Sequence, residues 1–292
     1  MSEKAIKSSK KAVKASKKTV ETNKVTIHYH TLDAEKIKEG ELEKFGSDFK
    51  AIFAYLKNYF LDNKVEFESS VDLIDLHQQG ICDIDFTPFQ KFPNLKEIVL
   101  GYNPLMLIDL TPLAECKNLE QLFFDRCQLV EIDLSPLSKC PNFQMITFRG
   151  NLLQQIDLSG LGSCPKLKWV ELPHNGLTRI DLSPLKNSPI QYLAVDDNAI
   201  EQIDLSPLAN CPKLRTLYIG TNRLKEIDLS PLKNCQNLAD FHADSNLYES
   251  LDVRPLASCP KLTKVIVDDV EIIAPAQGLP GLHKMERRAE EE

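Results

Sequence analysis

A six-residue string, Ile-Asp-Leu-Ser-Pro-Leu or a close variant, starts at Ile84, Ile108, Ile132, Ile156, Ile180, Ile203, Ile227 and Leu251. The intervals are 24, 24, 24, 24, 23, 24 and 24 residues. Seven agreeing intervals place one structural unit in each stretch, and a unit that short cannot bury an apolar face alone. The copies must therefore stack, each on its neighbours, into an elongated body. The one shorter interval is a single deletion after Pro189, in a turn, where a solenoid tolerates it.

Upstream of each string runs a second pattern. In LRTLYIGTNRL (214–224), Leu217 and Ile219 alternate with Tyr218, which predicts a short strand with one buried face. LKWVELPHNGL (167–177) and LEQLFFDRCQL (119–129) repeat it. The form is L-x-x-L-x-L-x-x-N/C-x-L, and through it the chain resembles the leucine-rich-repeat family over residues 71–270. Strand segments start at Val71, Leu95, Leu119, Phe143, Leu167, Ile190, Leu214, Leu238 and Leu262. The family's ladder column holds Asn103, Cys127, Asn151, Asn175, Asn198, Asn222 and Asn246, with Gln79 and Val270 departing at the two ends, as capping coils do.

The resemblance implies an α/β solenoid: an arc with a concave parallel sheet of about nine short strands and short helical or 3-10 turns on the convex side. Those short turns resemble internalins and phosphatase-regulating leucine-rich subunits. The resemblance further implies a scaffold that binds a protein on its concave face, has no catalysis of its own and needs no cofactor. A regulatory subunit of an enzyme is its alternative.

In the turn IDLSPLxxCP, Ile and Leu are expected to point inward and Asp outward, with Ser or Thr as N-cap and Pro at the first helical position. Asp85, Asp109, Asp133, Asp157, Asp181, Asp204, Asp228 and Asp252 form a column of like charges. Such a column is tolerable when each carboxylate accepts a backbone N–H at its own turn, and its apolar neighbours argue against calcium. Cys116, Cys140, Cys164, Cys211, Cys235 and Cys259 share one repeat position with Ser188 and Phe92. A column that accepts Cys, Ser and Phe is a packing column, so these are expected to be buried, reduced thiols rather than disulfides or metal ligands. His28 and His30 share a strand face, with no third ligand near in sequence.

The flanks break the repeat. KVTIHYHTL alternates as a strand does, and residues 47–62 place Phe49, Ile52, Phe53, Leu56 and Phe60 on one helical face behind Ser47 as N-cap. Residues 25–70 are accordingly expected to form an N-terminal cap whose helix lids the first coil, and 271–292 a brief cap followed by a charged, solvated tail. Residues 1–24 carry eight lysines against Glu3 and Glu21, a net of +6; with −7 overall, the remainder carries −13. This is an acidic body with a basic tail, expected to be disordered, and any nucleic acid or anionic membrane would be met through that tail alone.

No run of about 18 apolar residues and no signal-like h-region occurs, so the expected setting is intracellular: cytoplasmic, or nuclear by virtue of the lysines. Phosphate-cradling glycine loops, GxSxG and HExxH are absent from the sequence, which speaks for a binding module over an enzyme.

The register assigns the concave face. One column reads Glu97, Gln121, Met145, Trp169, Tyr192, Thr216, Asp240; a second reads Val99, Phe123, Thr147, Glu171, Ala194, Tyr218, His242; a third holds Asp125, Arg149, Asp196, Asp244 and Asp268. Trp169, the single tryptophan, shares a column with Tyr192, and Phe123 and Tyr218 flank them. Aromatic residues are the commonest interface anchors. The expected partner-binding set is thus Phe123, Met145, Arg149, Trp169, Glu171, Tyr192, Asp196, Asp197, Tyr218, Asp240, His242 and Asp244. Asp196, Asp197, Asp240, Asp244, Asp268 and Asp269 face only Arg215 and Lys264, so the partner is expected to carry a basic patch.

Overall fold

A computed structural model describes residues 24–38 and 40–285. The basic tail expected over 1–24 lies outside the described residues except for Lys24, as does the end of the charged C-terminal run.

The N-terminal flank holds strand β1 (Lys24–Leu32), helix α1 (Phe49–Leu56) and strand β2 (Phe60–Glu68), followed by β3 (Leu73–Asp75) and β4 (Ile81–Ile84). Each repeat then gives one three-residue strand: β5 (Glu97–Val99), β6 (Gln121–Phe123), β7 (Met145–Thr147), β8 (Trp169–Glu171), β9 (Tyr192–Ala194), β10 (Thr216–Tyr218) and β11 (Asp240–His242). The C-terminal end adds β12 (Ser250–Asp252), β13 (Lys264–Asp268), β14 (Glu271–Ile273) and β15 (Leu282–Met285). Strands β3, β5 to β11, β13 and β15 form one parallel sheet in chain order. Its tenth strand, β15, arises where the sequence reads as a cap.

The central residue of each repeat strand points into the core: Ile98, Leu122, Ile146, Val170, Leu193, Leu217, Phe241 and Val265 are all fully buried. Opposite them the turn leucines Leu113, Leu137, Leu161, Leu185, Leu208 and Leu232 close the coil. Each such side chain contributes about 1.5–3 kcal/mol on burial, summed coil by coil. The convex segments are single 3-10 turns such as Thr111–Glu115 and Ser206–Asn210.

The ladder satisfies what the coils leave open. Asn103, Asn151, Asn175, Asn198, Asn222 and Asn246 accept backbone N–H groups of the preceding coil through Oδ1 and donate to its carbonyls through Nδ2. Cys127 keeps only the donor half, Sγ to the Leu100 carbonyl at 3.2 Å. The ladder also holds a strained turn: the residue before it is left-handed at Tyr102, Arg126, His174, Asp197, Thr221 and Ser245 (φ 49–62°). Side chains with a Cβ cost about 1–2 kcal/mol there.

The column of turn aspartates behaves as the sequence predicts. Each accepts the N–H of the residue two further on, at 2.8 Å for Asp85 through Asp228 and 3.0 Å for Asp252. This corrects the capping assignment: Ser or Thr is the first residue of the 3-10 turn, and the acceptor is Asp. The hydroxyls of Thr111, Ser183 and Ser230 first, and these backbone bonds second, hold the Asp109, Asp181 and Asp228 carboxyls below their usual range. The six cysteines of the turn column, Cys116 to Cys259, are buried free thiols, five of which donate to a carbonyl of the preceding coil at 3.2–3.4 Å.

The N-terminal cap is built differently from the expectation. Helix α1 ends at Leu56, with Asp48 rather than Ser47 as the residue whose side chain caps it (Ala51 N, 3.0 Å), and Phe60 opens β2 instead of extending the helix. What covers the first coil is the β1–β2 hairpin: β1 pairs antiparallel with β4, and Val25, Ile27, Val65 and Phe67 pack on the core. A hairpin presents the alternate apolar residues that an open coil end needs. Helix α1 instead lies along the side of the arc, where Lys50 Nζ is 2.9 Å from Glu131 Oε1. His30 sits between Asp62 (3.1 Å) and Asp83 (3.3 Å).

Candidate functional site

Residues on either side of each buried strand centre stand on the concave face, and the parallel register brings matching positions of successive coils together. Trp169 is opposite Tyr192, and Tyr218 opposite His242. Strands lie about 4.8 Å apart, close enough for aromatic side chains to stack across them. The Trp169 and Tyr192 rings are parallel at 3.8 Å with a 3° tilt, and Tyr218 and His242 stack at 4.2 Å. The two stacks meet edge to face where Tyr192 joins Tyr218, at 5.6 Å and 75°. Trp169, Tyr192, Tyr218 and His242 thus form one continuous half-buried row over four strands.

Carboxylates fasten the row. Trp169 Nε1 donates to Glu171 Oε1 at 2.7 Å, and Tyr218 OH donates to Asp240 Oδ2 at 2.7 Å. His242 Nε2 lies 2.8 Å from Asp240 Oδ1, at an angle that makes no hydrogen bond. Burial holds the His242 imidazole below its ordinary value, against the pull of Asp240, and pushes the Tyr192 and Tyr218 phenols up. Burial likewise raises the Glu171 carboxyl. The Asp196 carboxyl is pushed up to about 6, by burial first and then by the neighbouring Asp197. The inner oxygens Asp196 Oδ1 and Asp240 Oδ1 are buried and have no hydrogen-bond partner.

The expected residues divide. Trp169, Glu171, Tyr192, Asp196, Tyr218, Asp240 and His242 come together in the row and its acids, with Met145 paired in register beside Trp169. Arg149 and Asp197 stand on the adjoining rim: Arg149 Nη2 is 3.0 Å from His174 Nε2, and His174 Nδ1 is 3.4 Å from Asp197 Oδ2. Asp244 is half-buried and accepts from Ser245 Oγ at 3.3 Å. Phe123 does not flank the row; it lines a separate hollow of about 340 Å³ with Val99 and Tyr102.

Three positions read as exposed are buried. Thr147 and Ala194, 2% and 1% exposed, are small residues in register between large neighbours. Asp268 is fully buried because it ends the ladder: its oxygens accept Ser245 N (2.6 Å) and Asn246 N (3.0 Å), where earlier coils offer backbone carbonyls. Of the remaining five acids at this end, Asp269 is exposed and Asp196, Asp197, Asp240 and Asp244 are half-buried.

Sequence reasoning missed His174 and the 58%-exposed Tyr102. Both occupy the left-handed turn before the ladder, outside the alternating strand positions; the only signal was their adjacency to Asn175 and Asn103. Among the described residues no group of three or more His, Cys, Asp and Glu side chains is placed to hold a metal, and no helix is long and apolar enough to cross a membrane.

The family model of the BspA-type leucine-rich-repeat region matches residues 63–189 and 154–275, with six copies. The chain belongs to the BspA-type leucine-rich-repeat family. Among solved structures, this leucine-rich-repeat chain is similar to internalin C2 of Listeria monocytogenes, at 27% identity and a TM-score of 0.54, over 68% of this chain and 80% of that one. Internalin InlF of the same organism gives 24% identity and the same TM-score over 68% of this chain; the match spans 56% of InlF. The TLR13 chain of a TLR13–ssRNA13 complex shares the fold at 19% identity and a TM-score of 0.54, over 70% of this chain and 34% of its own. No curated protein matches the chain in sequence.

Proposed function

We propose that this leucine-rich-repeat protein is a non-catalytic binding module that takes a protein partner on its concave face. The observation that carries the reading is the row Trp169–Tyr192–Tyr218–His242, an apolar surface preorganised by stacking and by the Glu171 and Asp240 bonds. Rigid aromatic anchors lose little conformational entropy on binding. The half-buried acids Asp196, Asp197, Asp240 and Asp244 at this end of the face favour a partner segment that is basic.

The test is quantitative capture with the intact chain, followed by binding kinetics on each partner recovered. Trp169→Ala should weaken binding by about 2 kcal/mol, roughly 30-fold. Asp197→Lys should mainly slow association and flatten its salt dependence. Normal binding by Trp169→Ala, combined with loss in a convex-side variant such as Lys233→Glu, sinks the concave reading.

A further inference from the structure

The hollow of about 340 Å³ at the N-terminal end of the concave face lies outside the aromatic row, and the repeat register accounts for it. Its floor is Val99 of β5 and Phe123 of β6, which pair side by side. Two residues further along, the matching positions of three successive coils are His77, Gly101 and Asp125. They are held in step where Gln78 N donates to the Gly101 carbonyl (3.0 Å) and Tyr102 N to the Asp125 carbonyl (2.8 Å). Gly101 has no side chain, so this column is open for the width of one coil. His77 and Asp125 stand two strand spacings apart, about 10 Å, which leaves room for one inserted side chain. Tyr102 also lines the hollow, and at 58% exposure it is the most exposed large apolar side chain among the described residues.

The lining is apolar in the middle and acidic at its two ends. Glu97 precedes Val99 by two residues on the same face of β5, and Asp125 follows Phe123 by two beyond β6. No lysine or arginine belongs to the lining. Asp125 Oδ1 accepts the Arg149 amide at 2.9 Å, which fixes the carboxylate in place. The Tyr102 ring already carries one guanidinium outside the hollow: Arg126 Cζ is 5.7 Å from its centroid.

A purely apolar side chain would strip water from the acids and give them nothing in return, and a small cation would leave the floor wet. A long side chain with an apolar stem and a cationic head satisfies both parts. Of the two such residues, arginine suits this lining better, because its planar, weakly hydrated guanidinium stacks on aromatic rings and lysine's compact ammonium holds its water.

We propose that this hollow is a second subsite of the concave face and takes an arginine side chain of the partner, its methylenes on Val99 and Phe123 and its guanidinium in the gap over Gly101, between Tyr102 and Asp125. The subsite rests on the concave-face reading and names the cation that the basic partner brings. The hollow lies between β5 and β6 and the aromatic row begins at β8, two to three strands or about 10–14 Å away. Four residues of extended chain span about 13 Å and return to the same side. A partner segment crossing the strands therefore presents this arginine four residues from the side chain that meets Trp169.

The probe is butylguanidinium, titrated into the ¹⁵N-labelled full chain and followed by amide chemical shifts. Saturable shifts should be confined to Gly101, Tyr102, Phe123 and Asp125 and their neighbours, and should weaken as salt is raised. Butylammonium and uncharged butanol should each bind roughly fivefold or more weakly. Asp125→Asn, which keeps an oxygen for the Arg149 amide, should weaken the probe by a similar factor at an unchanged melting temperature. Phe123→Leu, which keeps the floor apolar and removes the ring, should do the same. Butylammonium binding as tightly as butylguanidinium would give the site to lysine, and butanol binding as tightly would make it merely apolar; either overturns the proposal, as do shifts that are absent or spread over the whole face. Trp169→Ala should leave the probe untouched, which separates the two readings. A partner whose binding is lost in Trp169→Ala but indifferent to Asp125→Asn sinks the subsite alone, whereas one indifferent to Trp169→Ala sinks the row while probe binding still stands.

Discussion

Replacing Asn151 with alanine tests the ladder at a position in the middle of the arc. Asn151 is 4% exposed and serves four backbone groups: its Oδ1 accepts from Cys127 N (3.1 Å) and Leu129 N (2.9 Å), and its Nδ2 donates to the carbonyls of Phe124 (2.8 Å) and Phe148 (2.9 Å). Alanine orphans all four at once. A buried unsatisfied group costs about 1–3 kcal/mol, and a water entering the vacated space recovers part of that. The expected loss is about 4 kcal/mol, and at about 2–4 °C per kcal/mol the melting temperature should fall by roughly 10 °C. Because coils contact only their neighbours, amide exchange should rise first at Cys127 and Leu129 and fade with distance along the arc. Cys127 is the natural comparison, since its thiol keeps only a donor bond. Cys127→Asn should therefore leave stability within about 1 kcal/mol of the parent or raise it. A loss under about 1 kcal/mol for Asn151→Ala, or protection lost uniformly over all coils, would refute the reasoning.

The Asp196 carboxyl titrates near 6 in the fold, against about 3.9 unfolded. The native state holds that proton more tightly, so stability drops as pH rises from about 4 to about 6. Asp196→Asn should accordingly melt higher at pH 7, by about 1–2 kcal/mol after solvent screening of its exposed part, with no gain below pH 4; a lower melting point at pH 7 contradicts this. Burial pushes the Cys116, Cys164 and Cys235 thiols up to about 12 and those of Cys140 and Cys259 up to about 11. A soluble alkylating reagent at pH 8 should therefore label the turn-column cysteines only on unfolding, and rapid labelling of two or more in the folded protein counts against a purely packing role.

Periodic information was fully legible in the sequence. The 24-residue interval fixed the stacking, alternation around Leu217 and its equivalents fixed which residues face the core, and an unshielded column of turn aspartates required local N–H donors, which the structure supplies. Each of these depends on contacts within one coil or between identical positions of neighbouring coils. Tertiary structure alone decided the rest. Alternation says on which side of a strand a residue stands, never how much its neighbours overhang it, so Thr147 and Ala194 were misread while Trp169, Tyr192, Tyr218 and His242 became a row only through packing between residues 23–26 apart in sequence. The ends of a solenoid have no next coil to copy. There the hairpin replaced the helical lid and Asp268 replaced a missing carbonyl, because buried backbone groups and open apolar ends must be satisfied by whatever the neighbouring chain can bring.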